Sequence, residues 1–131
     1  MATMELTKEN FREVIENNDI VVIDFWASWC GPCKAFAPIF EAASEKHDDV
    51  VFAKVNTEEQ RELAAAYRIQ SIPTIMLLRQ QILLYAQPGM LSAAQLDDLL
   101  QQAKNLDMDK VRQEIEQQEA QQAQQQGSQQ A

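Results

Sequence analysis

Ile20, Val21, Val22, Ile23, Asp24, Phe25 and Trp26 lead almost without a polar break into Trp29, Cys30, Gly31, Pro32, Cys33 and Lys34. A β-branched and aromatic run of this kind predicts a central strand buried on both faces, with Asp24 as its one anomaly. Beyond the cysteines, Ala35, Phe36, Ile39, Phe40 and Ala43 recur at helical spacing as far as about His47, with Pro38 as a place for a kink. A strand therefore meets a helix at a turn that holds both cysteines of the chain. Two thiols at i and i+3 on the first turn of a helix share a face, close enough to form a disulfide and reopen it.

The ligand inventory argues against a metal. A structural zinc site takes about four Cys or His ligands, and the chain offers Cys30, Cys33 and the lone His47. A purely structural disulfide is also disfavoured, because closing so short a loop removes little unfolded-chain entropy. Thiol–disulfide exchange by a redox-active pair is the expectation that remains. Cys30, at the N-terminal edge of the helix, is expected to attack, since unpaired N–H groups and the positive end of the helix dipole stabilise a thiolate there. Cys33, a turn deeper, is expected to resolve the mixed disulfide.

With 131 residues, 46% of them apolar, the chain has the material for one domain with a real core. A net charge of −9 and the absence of any basic cluster argue against nucleic acid as a partner. No apolar run is long enough to span a bilayer, so no membrane association is expected. The segment Met1 to Phe11 carries Glu5 and Glu9 and does not resemble a secretory signal. The expected compartment is a reducing cytoplasm, where a two-cysteine motif is catalytic more often than structural.

Other signals outline the remaining elements. Thr7 is placed to cap a helix ending near Asn17, and Val50 to Val55 reads as a second buried strand. Thr57 and Gln60 have capping-box spacing for a helix through about Tyr67. This βαβα order predicts parallel strands with helices on the sheet faces. Thr74 to Leu78 and Ile82 to Tyr85 predict an antiparallel hairpin, and Ser92 with Gln95 a second capping box before a helix with Leu96, Leu99, Leu100 and Ala103 on one face. Residues 1–106 are expected to form the compact domain. Residues 107–131 are expected to be a Gln-rich extension, helical to about Gln118 and then disordered, with little effect on stability.

Asp24, Trp26, the run from Trp29 to Lys34, and Ser71, Ile72, Pro73 and Thr74 together resemble the thioredoxin family over about residues 4–105. The resemblance implies an α/β thioredoxin fold, a central mixed β-sheet of about five strands flanked by helices on both faces. It implies a protein-disulfide reductase that maintains cellular thiol redox state, works as a monomer and binds no cofactor. Its reducing equivalents would come from NADPH through a thioredoxin reductase, and its substrates would be oxidised proteins. Asp24 would then be a buried proton relay for the inner cysteine, Lys54 the lysine near that acid, and Pro73 a cis proline beside the cysteines. Trp29, Gly31, Pro32, Ile72, Pro73, Gly89 and Met90 are the expected docking surface around Cys30, with Ile72 backbone groups free to pair with an extended substrate. Trp26 is expected to pack beneath the active turn.

The chain departs from the family pattern where Gln80 and Gln81 replace a usual hairpin glycine, at Ser71, around Gly89 with Pro88 and Met90, and in the polar extension. These departures bear on partner choice. Two other functions compete: a binding module whose extension recruits a partner, and an exported oxidant or isomerase. Gly31 and Pro32 between the cysteines resemble the reducing members of the superfamily.

Overall fold

The computed structural model describes residues 2–130. In chain order the elements are β1 (Thr3–Glu5), α1 (Phe11–Asn17), β2 (Ile20–Trp26), α2 (Gly31–Lys46), β3 (Val51–Asn56), α3 (Arg61–Ala66), β4 (Thr74–Arg79), β5 (Ile82–Pro88), α4 (Ala93–Asn105) and α5 (Met108–Gln130). They build one five-stranded mixed sheet in the order β1-β3-β2-β4-β5. β1 and β2 run parallel to β3, while β4 runs antiparallel to both β2 and β5.

The strand alternation splits the apolar residues into two cores. Val21, Ile23 and Phe25 of β2 face one side with Val14 and Ile15 of α1 and Leu63 of α3. Ile20 and Val22 face the other with Phe36 and Phe40 of α2 and Leu96 and Leu100 of α4. A strand buried on both faces between two such layers needs the near-continuous apolar run that β2 carries. Asp24 follows Ile20 and Val22 in the alternation, so it lies on the α2 face. Phe40 and Phe52 pack edge to face at 5.1 Å in the same core.

Several expected boundaries shift for local reasons. The sequence gives no sign of β1, whose three residues are too few for a periodicity. Asn10, not Thr7, is the N-cap of α1; Thr7 instead exchanges bonds with Asn10 across the preceding turn, at 2.8 and 3.3 Å. The Thr57–Gln60 capping box is absent and α3 starts at Arg61. Ser92 and Gln95 do form theirs, with both reciprocal bonds present. Pro38 sits within α2 without ending it.

The hairpin closes through Gln80 and Gln81, both left-handed at φ 52° and 68°, the backbone of a two-residue primed turn. The Gln80 N–H donates to Asp19 O at 2.7 Å, and its side-chain oxygen accepts from Arg112 of α5. Arg79 donates to the carbonyls of Ala103, Lys104 and Leu106 at 2.8–3.2 Å, which caps the C-terminal end of α4. His47, at the end of α2, bonds Asp97 and Lys104 of α4, each at 2.8 Å, and ties the two helices of that face together.

α5 continues to Gln130, past the Gln118 end expected from its weak apolar stripe, because Gln, Ala and Glu are all good helix formers. Its first turn is anchored: Met108 is only 5% exposed. Val111 and Ile115 are half-buried, and every residue from Glu116 to Gly127 is exposed. Truncation after Glu116 is therefore expected to leave the urea midpoint unchanged, whereas Met108→Ala lowers stability by about 2 kcal/mol, the low end for a buried Met→Ala change. Comparing the two unfolding curves checks this, and equal midpoints for parent and Met108→Ala would mean the anchor contributes nothing.

Candidate active site

At the end of β2 the chain leaves the sheet and enters α2 through a turn fixed by its own backbone. Cys30 is the N-cap of α2 in an extended conformation, and its Sγ accepts the Cys33 N–H at 3.2 Å. A sulfur thus occupies the place normally taken by a Ser or Asp oxygen at a helix start. Pro32 falls within the first turn, where a missing N–H costs no intrahelical bond. Cys30 and Cys33 are joined as a disulfide with Cα atoms 5.2 Å apart.

The turn is held from beneath by residues whose role here has no signature in the sequence. Thr57, just past the end of β3, donates to the Trp26 carbonyl through both its N–H, at 2.9 Å, and its hydroxyl, at 3.0 Å. Glu58 accepts from the N–H and hydroxyl of Ser28 at 2.9 and 2.8 Å. The Ser28 N–H, and then its hydroxyl, hold the Glu58 carboxyl below the usual glutamate range. Only the pairing of β2 with β3, Trp26 opposite Asn56, brings these groups together.

A second segment closes on the cysteines from the far side of β2. The Ile72–Pro73 bond is cis, and the Ile72 carbonyl oxygen lies 3.7 Å from Cys30 Sγ. Gly89 donates its N–H to the Pro73 carbonyl at 2.8 Å and adopts φ +96°, a conformation that favours glycine. Trp29 and Met90 are large apolar side chains left 71% and 41% exposed, and Gly31 and Pro32 are exposed beside Trp29. Of the expected docking residues, Ile72 meets Cys30 directly, Pro73 is buried, and Gly89 joins through Pro73.

Asp24 is 1% exposed, and neither of its carboxyl oxygens has a hydrogen-bond partner among the described residues. Burial pushes its pKa up to about 7, with Lys54 pulling the other way. Lys54 is the register partner of Asp24 across β2 and β3, and its ammonium stands 5.2 Å from the centre of the Trp26 ring, a cation–π distance. Asp24, Trp26 and Lys54 therefore form one group on the α2 side of the sheet. Among the described residues no three His, Cys, Asp or Glu side chains gather as a metal site would need, and no helix is long and apolar enough to cross a membrane.

A helix-capping disulfide at the end of a buried strand, set against a proline turn on an α/β sheet, defines a thiol–disulfide exchange protein. Residues 2–105 match the thioredoxin family model. A Streptomyces coelicolor protein that carries thioredoxin 2 in its name is 54% identical over 119 residues, spanning 91% of this chain and 89% of that protein. The thioredoxin of Alicyclobacillus acidocaldarius is 43% identical over 106 residues, 76% of this chain and all of its own length. Among solved structures, a Halobacterium salinarum thioredoxin variant superposes with a TM-score of 0.74 at 30% identity, covering 79% of this chain and 92% of that one. Plasmodium falciparum thioredoxin gives 0.71 at 32% identity, over 76% and 98%. The chain belongs to the thioredoxin family, and it is a thiol–disulfide oxidoreductase that exchanges dithiol and disulfide through Cys30 and Cys33. The family needs no bound cofactor for this chemistry.

The buried acid makes stability depend on pH in a definite direction. With a folded pKa near 7 against an ordinary 3.8, ionising Asp24 destabilises the fold by up to about 4 kcal/mol. The penalty is absent below pH 3.8, grows as the pH rises and is complete above pH 7. Asp24→Asn is therefore expected to match the parent at acid pH and to exceed it in stability at pH 8, read from urea midpoints. A variant less stable than the parent at pH 8 would identify Asp24 as a satisfied structural residue.

Proposed function

We propose that the chain is a general protein-disulfide reductase in which Cys30 attacks, Cys33 resolves and Asp24 handles the inner proton. The observation that carries this reading is the Cys30 Sγ at the N-cap of α2, accepting the Cys33 N–H. That N–H and the helix dipole favour the Cys30 thiolate over the thiol. The thiolate attacks one sulfur of a substrate disulfide and forms a mixed disulfide, releasing the other substrate sulfur as a thiolate that takes up a proton. Cys33 then loses its proton to Asp24 and attacks Cys30, which frees the second substrate thiol and leaves the Cys30–Cys33 disulfide. Two electrons pass from the enzyme to the substrate.

An acid with a pKa near 7 is matched to that proton transfer, since it is both protonated and ionised in quantity near neutral pH. Thiolate tuning alone contributes little. Lowering a thiol pKa from about 8.5 to about 7 raises the thiolate fraction some fifteenfold at pH 7, but intrinsic nucleophilicity falls about fivefold, leaving a net gain of about threefold. Orientation of the substrate must supply most of the rate. Trp29, Gly31, Pro32, Ile72, Pro73, Gly89 and Met90 are the surface assigned to that task, with Trp26 and Lys54 supporting the cysteine turn and Asp24.

Residues 1–106 are the working unit, with 107–131 an appendage to it. Reduction of the spent disulfide is assigned to a thioredoxin reductase drawing on NADPH, in the cytoplasm, with the chain acting as a monomer. The full-length protein should couple NADPH oxidation to reduction of a protein disulfide when thioredoxin reductase is added, and failure with every such reductase would overturn the assignment of the electron source. Cys33→Ser should accumulate mixed disulfides with oxidised protein on Cys30, since the first attack survives while resolution is lost. Cys30→Ser should trap almost none; equal trapping by the two variants, read on non-reducing gels, would reverse or remove the assignment of attacker and resolver.

A further inference from the structure

On the α1 and α3 side of the sheet, a register shift opens a gap in β5. Leu77 pairs with Tyr85 but Leu78 pairs with Leu83, so Leu84 is an extra residue in β5. A bulge of this kind breaks the alternation of side chains between faces. Leu84 and Tyr85 both pack against the α2–α4 core, whereas Ala86 and Leu83, opposite Met76 and Leu78, belong to the other face. Ala86 and Leu83 therefore follow one another on that face with no side chain between them. Leu83 is left 47% exposed.

A cavity of about 270 Å³ occupies this gap, lined by Tyr67, Met76, Leu83 and Ala86 and reaching Ser71, Thr74 and Pro88. Those last residues adjoin the exchange site. Ser71 precedes Ile72, whose carbonyl touches Cys30 Sγ, and Pro88 precedes Gly89, which bonds Pro73. Thr74 donates to the Ser71 carbonyl at 2.6 Å and pairs with Pro88 across β4 and β5, so the near rim is fixed. The run from Pro88 to Leu83 along β5 spans at most about 17 Å at roughly 3.4 Å per residue.

We propose that this groove is a substrate subsite that takes a large apolar side chain of the oxidised polypeptide whose disulfide lies at Cys30. The proposal rests on the exchange reading above and names the class of protein that reading favours. A groove whose near rim adjoins Ile72 and Gly89 and which extends along a strand is matched to an extended polypeptide, not to a small disulfide. Its floor along β4 and β5 is apolar, with Met76, Leu83, Ala86 and Pro88, while Arg68 and Gln70 stand at its opposite rim. A second copy fits less well, since each chain carries a net charge of −9 and copies repel. The chain's own distal tail offers only alanine as an apolar residue beyond Ile115.

The test uses prereduced full-length protein in single turnovers, so that no reductase takes part. The probes are disulfide-linked peptides with serine at every position but one, where Phe is placed in turn within about six residues on either side of the half-cystine, a reach of about 20 Å. Phe at one or two positions is expected to raise the second-order rate about tenfold, the low end for one apolar side chain entering a fitted pocket. Leu83→Glu and Ala86→Trp should each abolish that gain while reducing a small aromatic disulfide at the parental rate. A rate indifferent to Phe position, or a gain that survives in both variants, overturns the subsite and leaves the exchange reading intact. A gain that disappears on dilution, as the mass in solution falls from dimer to monomer, overturns it in favour of self-association. A parent that reduces neither peptide nor small disulfide removes the exchange reading itself.

Discussion

The burial of β2 on both faces is the constraint from which the rest of the structure follows. Its flanks are filled by β3 and β4, and its faces by a core on each side, one built with α1 and α3 and the other with α2 and α4. The end of such a strand is fixed in position and in direction, and the cysteine turn inherits that rigidity. α2 is held in turn by Phe36 and Phe40 inside the core. The helix start, and with it Cys30, therefore lies at a point set by apolar packing together with the Thr57 and Glu58 hydrogen bonds, with a second fixed segment at Ile72 only 3.7 Å from its sulfur.

The same burial gives the site its two opposed electrostatic environments. At the helix edge, an N–H and the dipole favour a negative sulfur. One layer down, Asp24 meets a medium that disfavours its negative form, and only Lys54 offsets this. The helix start favours a charged sulfur, whereas burial disfavours a charged Asp24. An asparagine at position 24 would remove the desolvation penalty and the exchangeable proton together. The desolvation cost is thus a property of that one carboxyl group.

Legibility in the sequence followed how local each signal was. The run Ile20–Trp26 and the cysteine spacing specify a buried strand and a helix start within a few residues, and both are found where expected. Ser92 and Gln95 realise their capping box, each side chain accepting the other's backbone N–H. Thr57 and Gln60 have the same spacing and do not, because Thr57 is drawn to the Trp26 carbonyl and Gln60 accepts the Lys8 N–H at 3.1 Å. Tertiary partners override a local pattern there. The hold of Glu58 on Ser28 spans 30 residues of sequence and exists only through the β2–β3 register, so no periodicity announces it. β1 was invisible for the opposite reason, being too short to have a period.

The Gln80–Gln81 turn shows how this chain tolerates a local conflict. Left-handed backbone at two non-glycine residues costs on the order of 1 kcal/mol or more at each. The opposing contacts are all at the same corner: Asp19 accepts the Gln80 N–H, Arg112 donates to the Gln80 side chain, and Arg79 caps α4. Arg112 belongs to α5, which lies outside the matched family region ending at residue 105. The beginning of the extension is thus joined to the hairpin, and the hairpin carries the bulge that opens the groove at Leu83. Register in a hairpin is set from its turn, so a contact at the tip constrains the far end of β5. Through that strand the extension is mechanically linked to Gly89 and the cysteine face.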